Sequence, residues 1–233
     1  MHRNLLLILI LILGSAHAAI ITVGPADEDY SRIQEAINNA SVGDIIEVHS
    51  GTYLERLRFT KALTLIGLDT GQGMPLIDGN GSSSVITLSA NGSTVQGFNL
   101  TGSGHCGCGS AGIQVTSSNN TVLDNVLYKN KYGIYVKPSA INNTFFSNVF
   151  LDNDITASDS GNNSWSSIEK AEGLHKLSEL LLGKRVQGNY YSDYDEPEEG
   201  CNDTNSDGFC DQPRNISGGS SVDQYPATSH AKF

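Results

Sequence analysis

Residues 119–127 read Asn119-Asn120-Thr121-Val122-Leu123-Asp124-Asn125-Val126-Leu127, and 23 residues later the chain repeats them as Asn142-Asn143-Thr144-Phe145-Phe146-Ser147-Asn148-Val149-Phe150. An earlier copy reads Thr94-Val95-Gln96-Gly97-Phe98-Asn99-Leu100. Each copy holds two short segments in which apolar side chains alternate with polar ones, separated by a turn of Asn, Gly or Ser. This pattern is typical of short β-strands and predicts a repeating unit built from them.

A second motif recurs between these copies. It is centred on an isoleucine, at Ile86, Ile113, Ile134 and Ile155, with spacings of 27, 21 and 21 residues. A repeat of this size cannot bury its apolar side alone, so it has to stack on a neighbour of the same kind. We therefore predict a parallel β-helix over residues 19–165, with a propeller or sandwich as the alternative. In such a stack Asn99, Asn125 and Asn148 are expected to form a ladder of hydrogen-bonded amides.

Both ends of a stack expose apolar surface that has to be covered. At the N-terminal end we predict a capping helix over Ser31–Ala40, opened by a capping box of Ser31 and Gln34. A second amphipathic capping helix is predicted from Ser166 to Leu182, within a segment that spans residues 166–187. Residues 188–233 are predicted to form an acidic tail.

The N-terminus has the features of an export signal. A basic Arg3 precedes nine apolar residues, Leu5–Leu13, and Ala16-His17-Ala18 supplies small residues for cleavage, so residues 1–18 are predicted to be a signal peptide. The apolar run is shorter than the roughly 20 residues that span a bilayer. We expect an extracytoplasmic protein, secreted, periplasmic or at the cell surface, without a transmembrane anchor after cleavage. The formal net charge of −11 argues against nucleic acid and polyanionic sugar as partners unless cations bridge them.

Several motifs together resemble a known family. They are residues 31–37 (Ser-Arg-Ile-Gln-Glu-Ala-Ile), 51–53 (Gly-Thr-Tyr), 63–67 (Leu-Thr-Leu-Ile-Gly), 77–81 (Ile-Asp-Gly-Asn-Gly), the Asn-Asn-Thr coils and 188–194 (Gly-Asn-Tyr-Tyr-Ser-Asp-Tyr). They resemble the NosD-like β-helix proteins, part of the wider group of carbohydrate-binding and sugar-hydrolase β-helices abundant among archaeal surface proteins. The resemblance implies a right-handed β-helix, an extracytoplasmic location and a family label of periplasmic copper binding.

The acidic tail contains a candidate calcium site. Its oxygen ligands follow the spacing of a calcium-binding loop, with Gly208 at the turn: Asp203, Asn205, Asp207, the Phe209 carbonyl and Asp211. Arg214 takes the position of the final bidentate Glu. This departure either lowers the affinity for calcium or leaves the missing ligand to be supplied by Asp193, Asp195, Glu198 or Glu199. Cys201 and Cys210 bracket this loop and could close it as a disulfide, in a way that resembles thrombospondin type 3 repeats.

Soft metal ligands cluster in one insert, at His105, Cys106 and Cys108, and suit Cu(I) or Zn²⁺. An exported thiol pair is more often oxidised, so disulfides, including cross-links from Cys106 and Cys108 to Cys201 and Cys210, remain open.

No catalytic residues are predicted. The first functional hypothesis is a non-catalytic module that binds carbohydrate or a cell-surface protein, with Tyr128, Tyr132, Tyr135, Phe145 and Phe146 as candidate aromatic platforms, some of them in the core. The alternatives are a lyase, epimerase or hydrolase acting on polysaccharide, and a copper-handling accessory protein.

Overall fold

The computed structural model of the protein describes residues 18–105, 109–169 and 185–230. In these ranges the chain forms one short α-helix, α1 (Ile33–Asn39), a 3-10 helix (Pro197–Glu199) and many short strands. The strands are β1 (Ile20–Val23), β2 (Ile45–His49), β3 (Thr52–Tyr53), β4 (Leu57–Phe59), β5 (Thr64–Leu68), β6 (Leu76–Asp78), β7 (Ile86–Leu88), β8 (Thr94–Gln96), β9 (Asn99–Thr101), β10 (Ala111–Val115), β11 (Thr121–Leu123), β12 (Val126–Tyr128), β13 (Tyr132–Val136), β14 (Thr144–Phe146), β15 (Val149–Leu151), β16 (Ile155–Asp159), β17 (Ser167–Glu169), β18 (Arg185–Gln187), β19 (Tyr190–Tyr191), β20 (Arg214–Asn215) and β21 (Val222–Asp223). None of these helices has the length and apolarity needed to cross a membrane.

Most strands belong to three parallel sheets that wind around one core. Sheet A has the order β1-β2-β5-β8-β11-β14, sheet B the order β3-β6-β9-β12-β15-β19, and sheet C the order β4-β7-β10-β13-β16. Each coil contributes one strand to each sheet, and about six coils stack into a solenoid. The predicted right-handed parallel β-helix is confirmed.

The core consists of side chains stacked in register. In sheet A, for example, Val95 pairs with Val122 and Val122 with Phe145, and all three are fully buried. Because each apolar side chain lies between those of the preceding and following coils, burial depends on the stack and not on a single coil.

The register differs from the predicted one at the last isoleucine. Ile86, Ile113 and Ile134 are aligned as expected, but Ile134 pairs with Ala157 and Ile155 pairs with Tyr132. The offset between these coils is therefore 23 residues, the spacing of the Asn motifs, and not 21. Ile155 does not continue the isoleucine column, because the turn from β13 to β14 (residues 137–143) is two residues longer than the turn from β10 to β11 (residues 116–120).

Buried asparagines form ladders along the turns, and two of the three predicted members, Asn125 and Asn148, are confirmed. The Asn125 amide donates to Asn148 Oδ1 (3.1 Å), and Asn148 donates to Asn189 Oδ1 (3.0 Å). A parallel ladder runs through Asn120, Asn143 and Asn163. Asn99 is not a member, because Phe98 occupies the corresponding position and Asn99 faces outward one residue later.

Each ladder ends at a buried aspartate. Asn163 donates to Asp159 Oδ1 (2.8 Å), and Asn189 donates to Asp223 Oδ2 (3.0 Å). The bonds from one asparagine side chain to the next all run toward the C-terminal end, so each ladder ends on a group that only accepts hydrogen bonds. The aspartates therefore terminate the ladders where another asparagine would leave a donor unpaired.

Burial gives Asp223 a pH-dependent contribution to stability. It raises the pKa of this carboxyl from 3.8 to about 6, although hydrogen bonds from Asn189, Tyr225 and Tyr191 lower it. Since the folded pKa is above the unfolded one, this contribution is complete below pH 3.8 and is lost as the pH rises through about 6. We expect the stability difference between wild type and Asp223→Asn, measured by urea unfolding, to fall by up to about 3 kcal/mol between pH 4 and 7. A difference independent of pH would contradict this assignment.

Helix α1 covers the N-terminal end, as predicted, with Ile33, Ala36 and Ile37 buried against the first coil. The predicted Ser31–Gln34 capping box is absent: the N-cap is Arg32, and its side chain makes no capping bond. Glu55 instead caps the helix from the neighbouring turn.

The C-terminal end is closed by Trp165, which is fully buried against Phe145 with ring centroids 4.5 Å apart. The helix predicted from Ser166 does not begin there, because β17 pairs antiparallel with β18. The rest of that prediction, residues 170–184, lies outside the described residues, as does the predicted signal peptide up to residue 17. Tyr190 and Tyr191 extend sheet B, and the tail then packs Phe209 and Ala227 on its outer side.

Candidate functional site

Charged, imidazole and aromatic side chains lie along or beside one edge of the solenoid, which we call the B–C corner. It consists of the described residues of the turns that lead from sheet B to sheet C: 54–56, 79–85, 102–105, 109–110, 129–131 and 152–154. Backbone bonds stack these turns, as from Gly81 N to Gly102 O (2.7 Å) and from Asp154 N to Asn130 O (3.0 Å). Residues distant in the sequence therefore lie beside one another along this corner.

The turn that begins at residue 102 reaches across the next coil through His105. His105 Nδ1 lies 3.8 Å from Asp154 Oδ2, two coils further on, and Lys131 Nζ lies 3.3 Å from the same oxygen. His105 is 72% exposed, so these ion pairs contribute little to stability. Their effect is to place a cation, a carboxylate and an imidazole at one point of the surface.

The outer face of sheet C begins beside this cluster. One outward column of side chains runs through Arg58, Thr87, Gln114, Tyr135 and Ser158 in consecutive coils. Tyr132 stands next to Tyr135 on the same strand, with ring centroids 5.1 Å apart and planes tilted by 58°. Both rings are half-buried, so each presents one side to solvent.

The two tyrosines share a face because alternation shifts by one within β13. Gly133 and Ile134 are both buried, which turns the residues on either side of them outward. A Cβ on Gly133 would approach the Thr156 carbonyl oxygen to 2.4 Å, so only glycine fits. Gly109 packs against the Tyr135 ring, since a Cβ at this position would come within 2.6 Å of it.

A cleft of about 210 Å³ continues the face at its C-terminal end, between β16 and the tail. Asp193 accepts hydrogen bonds from Thr156 Oγ1 (2.8 Å) and from the Arg214 guanidinium (2.8 Å). That guanidinium also lies 4.4 Å from the centre of the Tyr191 ring. Burial raises the pKa of the Tyr191 hydroxyl well above its usual value, so it remains a neutral donor to Asp223.

Four of the predicted aromatic platforms face outward and one does not. Phe145 is fully buried in the core, whereas Tyr128, Phe146, Tyr132 and Tyr135 project from the sheets. The paired rings of sheet C are accompanied by an amide, Gln114, and by the charged cluster at Asp154. This is the arrangement that a polar ligand with apolar faces requires.

The sequence matches the family described as periplasmic copper-binding protein (NosD) over residues 66–196, more than half of the chain. This chain belongs to the NosD family. Two crystal structures of the pectin methylesterase from Aspergillus niger, deglycosylated and penultimately deglycosylated, are similar to it. Each shows 19% identity and a TM-score of 0.38, over 64% of this chain and 62% of the esterase chain. No curated protein matches the sequence.

The donor set for copper in this NosD-family chain is incomplete as far as the structure describes it. Of the three predicted soft ligands, His105 lies beside Asp154, and Cys106 and Cys108 fall outside the described residues. Across the described ranges, no three His, Cys, Asp or Glu side chains are grouped to hold a metal ion. Copper binding therefore stays a prediction, and no chemistry is derived from it.

The predicted calcium loop is closed by a disulfide. Cys201 and Cys210 are bonded to each other, as predicted, which rules out their cross-links to Cys106 and Cys108. Inside the loop Asp203 accepts hydrogen bonds from Asp207 N (3.1 Å) and Gly208 N (2.8 Å). The remaining predicted ligands are Asn205, Phe209 and Asp211. Asn205 accepts a hydrogen bond from Asp207 N, and Asp211 accepts one from Thr204. Calcium binding here stays a prediction, and Asp193, one suggested substitute ligand, is bonded to Arg214.

Proposed function

We propose that this NosD-family protein is an extracytoplasmic β-helix module that binds carbohydrate on the outer face of sheet C without transforming it. The observation that carries the proposal is the Tyr132–Tyr135 pair, with centroids 5.1 Å apart, on an ordered strand beside Gln114, Lys131 and Asp154. The family's description as periplasmic supports the location.

The chemistry of the face matches that of a saccharide. A sugar ring has an apolar C–H side that packs on an aromatic ring, and hydroxyl edges that exchange hydrogen bonds with amides and charged groups. The tyrosines offer aromatic rings for stacking, and Gln114, Lys131 and Asp154 offer hydrogen bonds to the hydroxyl groups. Because strands and not loops carry the rings, little conformational entropy is lost when a ligand binds.

A glycan array followed by product analysis tests the proposal. We expect the full-length protein to retain a subset of glycans and to release no shortened, unsaturated or epimerised product. Turnover of a bound glycan would overturn the non-catalytic assignment and favour the polysaccharide-active alternative. Failure to bind any glycan would overturn carbohydrate binding itself.

Substitution of the platform gives a sharper test. Tyr135→Ala and Tyr132→Ala are each expected to weaken binding of a retained oligosaccharide roughly tenfold, because each removes one stacking surface worth about 1 kcal/mol or more. The matched control is Tyr128→Ala, which removes an outward tyrosine from sheet B. Equal losses in all three variants by calorimetry, with melting temperatures unchanged, would show that sheet C is not the binding face.

A copper-handling role is the second candidate, favoured by the family description alone. Metal analysis of the purified protein, with a count of free thiols, tests it and the calcium prediction together. Copper bound in proportion to protein, with Cys106 and Cys108 reduced, would support this role. Calcium without copper would support the calcium site predicted in the tail loop. If the protein binds neither metal, both the calcium site and the copper-handling role are overturned.

A further inference from the structure

A row of asparagines follows the edge of the solenoid at the other ends of the sheet C strands, which we call the C–A corner. This corner consists of the turns from sheet C to sheet A, residues 89–93, 116–120 and 137–143, and of residues 160–164 after β16. Backbone bonds stack these segments, as from Asn119 N to Ile141 O (3.2 Å) and from Asn142 N to Asn162 O (2.9 Å). Asn119, Asn142 and Asn162 therefore follow one another on three consecutive coils.

Each of these asparagines is followed by a second one that has a different role. Asn120 and Asn143 are buried members of the ladder, in which Asn120 Nδ2 donates to Asn143 Oδ1 (2.9 Å). Asn119 and Asn142 are exposed, and their side chains make no hydrogen bond with any described residue. One amide of each pair is therefore used by the fold, and the other is available to a reagent from solution.

The conformation of the turn does not account for all the exposed amides. Asn119 and Asn142 have φ of 60° and 58°, a left-handed conformation that asparagine tolerates. Gly92 holds the same position one coil earlier with φ of 77°, so the turn accepts a residue without a side chain. Asn162 is not among the described residues that have a positive φ.

Each exposed asparagine of this row begins an Asn-x-Ser/Thr sequence, the acceptor motif for N-linked glycans in exported proteins. The chain contains nine such motifs, and all nine lie in the described ranges. Glycan transfer uses the asparagine Nδ2 and the hydroxyl two residues later, so both groups have to be accessible. In two motifs the amide is engaged, since Asn39 Nδ2 donates to Glu35 O (2.9 Å) and Asn99 Nδ2 donates to Met74 O (3.3 Å).

In three further motifs the hydroxyl is engaged or buried. Arg56 donates to Ser82 Oγ, and Thr204 Oγ1 donates to Asp211 (2.8 Å). Ser93 is only 1% exposed. These hydroxyls belong to the motifs of Asn80, Asn202 and Asn91.

The remaining four motifs keep both groups accessible. Their asparagines are all exposed, and they are Asn119, Asn142, Asn162 and Asn215. Their hydroxyls are half-buried or exposed and make no hydrogen bond with any described residue; they belong to Thr121, Thr144, Ser164 and Ser217.

We infer that the protein carries N-linked glycans at Asn119, Asn142 and Asn162, in a row along the C–A corner, and at Asn215 in β20. The donor is a saccharide linked through phosphate to a membrane lipid. Transfer breaks the bond between the anomeric carbon and the phosphate oxygen, forms a bond from that carbon to Nδ2 and releases one Nδ2 proton, without oxidation or reduction. The inference rests on the extracytoplasmic location and not on carbohydrate binding by sheet C.

Peptide mapping by tandem mass spectrometry, on protein purified from the organism that encodes it, tests this inference. We expect glycan masses on the peptides that contain the four accessible motifs. The five motifs with an engaged or buried group are internal controls and are expected to be unmodified. Equal modification of all nine motifs would overturn the selection of sites by the fold, and no glycan on any of the four would overturn the inference itself.

Thr121→Val and Thr121→Ser, produced in the same organism, form a matched pair. Thr121 is half-buried on the outward side of β11, so neither change opens the core, and circular dichroism checks the fold. Valine removes the hydroxyl and is expected to abolish the glycan at Asn119 while Asn142 stays modified; serine is expected to keep both. A glycan at Asn119 in Thr121→Val would contradict the assignment.

The same spectra separate failure of this inference from failure of the proposed function. A mature chain that begins near Ala19 shows that the signal peptide has been removed. Unmodified asparagines in a chain cleaved there would overturn the glycan sites and leave the extracytoplasmic module. Glycans at the four sites in a protein that retains nothing on the glycan array would support this inference and overturn carbohydrate binding by sheet C.

Discussion

Replacing Asn148 with alanine is expected to lower the free energy of unfolding by about 4 kcal/mol. The amide is fully buried in the middle of a ladder. Its oxygen accepts from the backbone and side chain of Asn125, and its two N–H groups are shared among Val122 O, Phe146 O and Asn189 Oδ1. Truncation takes the acceptor from Asn125 N and removes one partner from each of the other groups, and a buried group left unpaired costs about 1–3 kcal/mol.

The matched control for this variant is Asn162→Ala, which removes an exposed asparagine of the same family of turns. It is expected to change stability by less than about 0.5 kcal/mol. Urea unfolding followed by circular dichroism measures both variants. Similar losses for Asn148→Ala and Asn162→Ala would mean that the ladders do not contribute more than ordinary turn residues.

The second large effect is expected for Trp165→Ala, at about 3–5 kcal/mol. The indole closes the C-terminal end of the core against Phe145 and Phe150, with ring centroids 4.5 and 6.3 Å away. Its Nε1 also donates to the buried carboxylate of Asp159 (2.9 Å). Removal of the ring opens a cavity and takes one donor from that carboxylate, which keeps Ser221, Asn163 and Gly161 as donors.

Trp165→Phe retains part of the packing, because it keeps one aromatic ring while it loses the N–H donor and some of the buried volume of the indole. We expect it to cost about 1–2 kcal/mol, clearly less than the alanine variant. Circular dichroism is the appropriate probe, since the chain has one tryptophan and both variants lack it. A Trp165→Ala protein as stable as wild type would show that the indole does not close the core.

The repeats predicted the fold because each coil carries the same alternation of apolar and polar side chains, and stacking of the coils buries the apolar ones. The register was less predictable, because the spacing between coils varies with the length of the turns. Ile155 was misplaced by two residues, since the turn 137–143 between β13 and β14 is two residues longer than the turn 116–120 between β10 and β11. Asn99 was misplaced by one, since Phe98 and not an amide occupies the ladder position of that coil.

The binding face was only partly visible in the sequence. The tyrosines stood out as aromatic residues, but nothing local indicated that Tyr132 and Tyr135 share one side of the sheet. The cap by Glu55 was likewise missed, since a capping group 22 residues away leaves no signal next to the helix.

The most direct test of the account is hydrogen–deuterium exchange of the full protein with and without an oligosaccharide retained on the glycan array. The account predicts added protection in peptides covering β10, β13 and the turn 152–154, with little change in β11 and β14 of sheet A. Protection confined to sheet A, or to the tail over sheet B, would contradict the assignment of the outer face of sheet C as the binding surface.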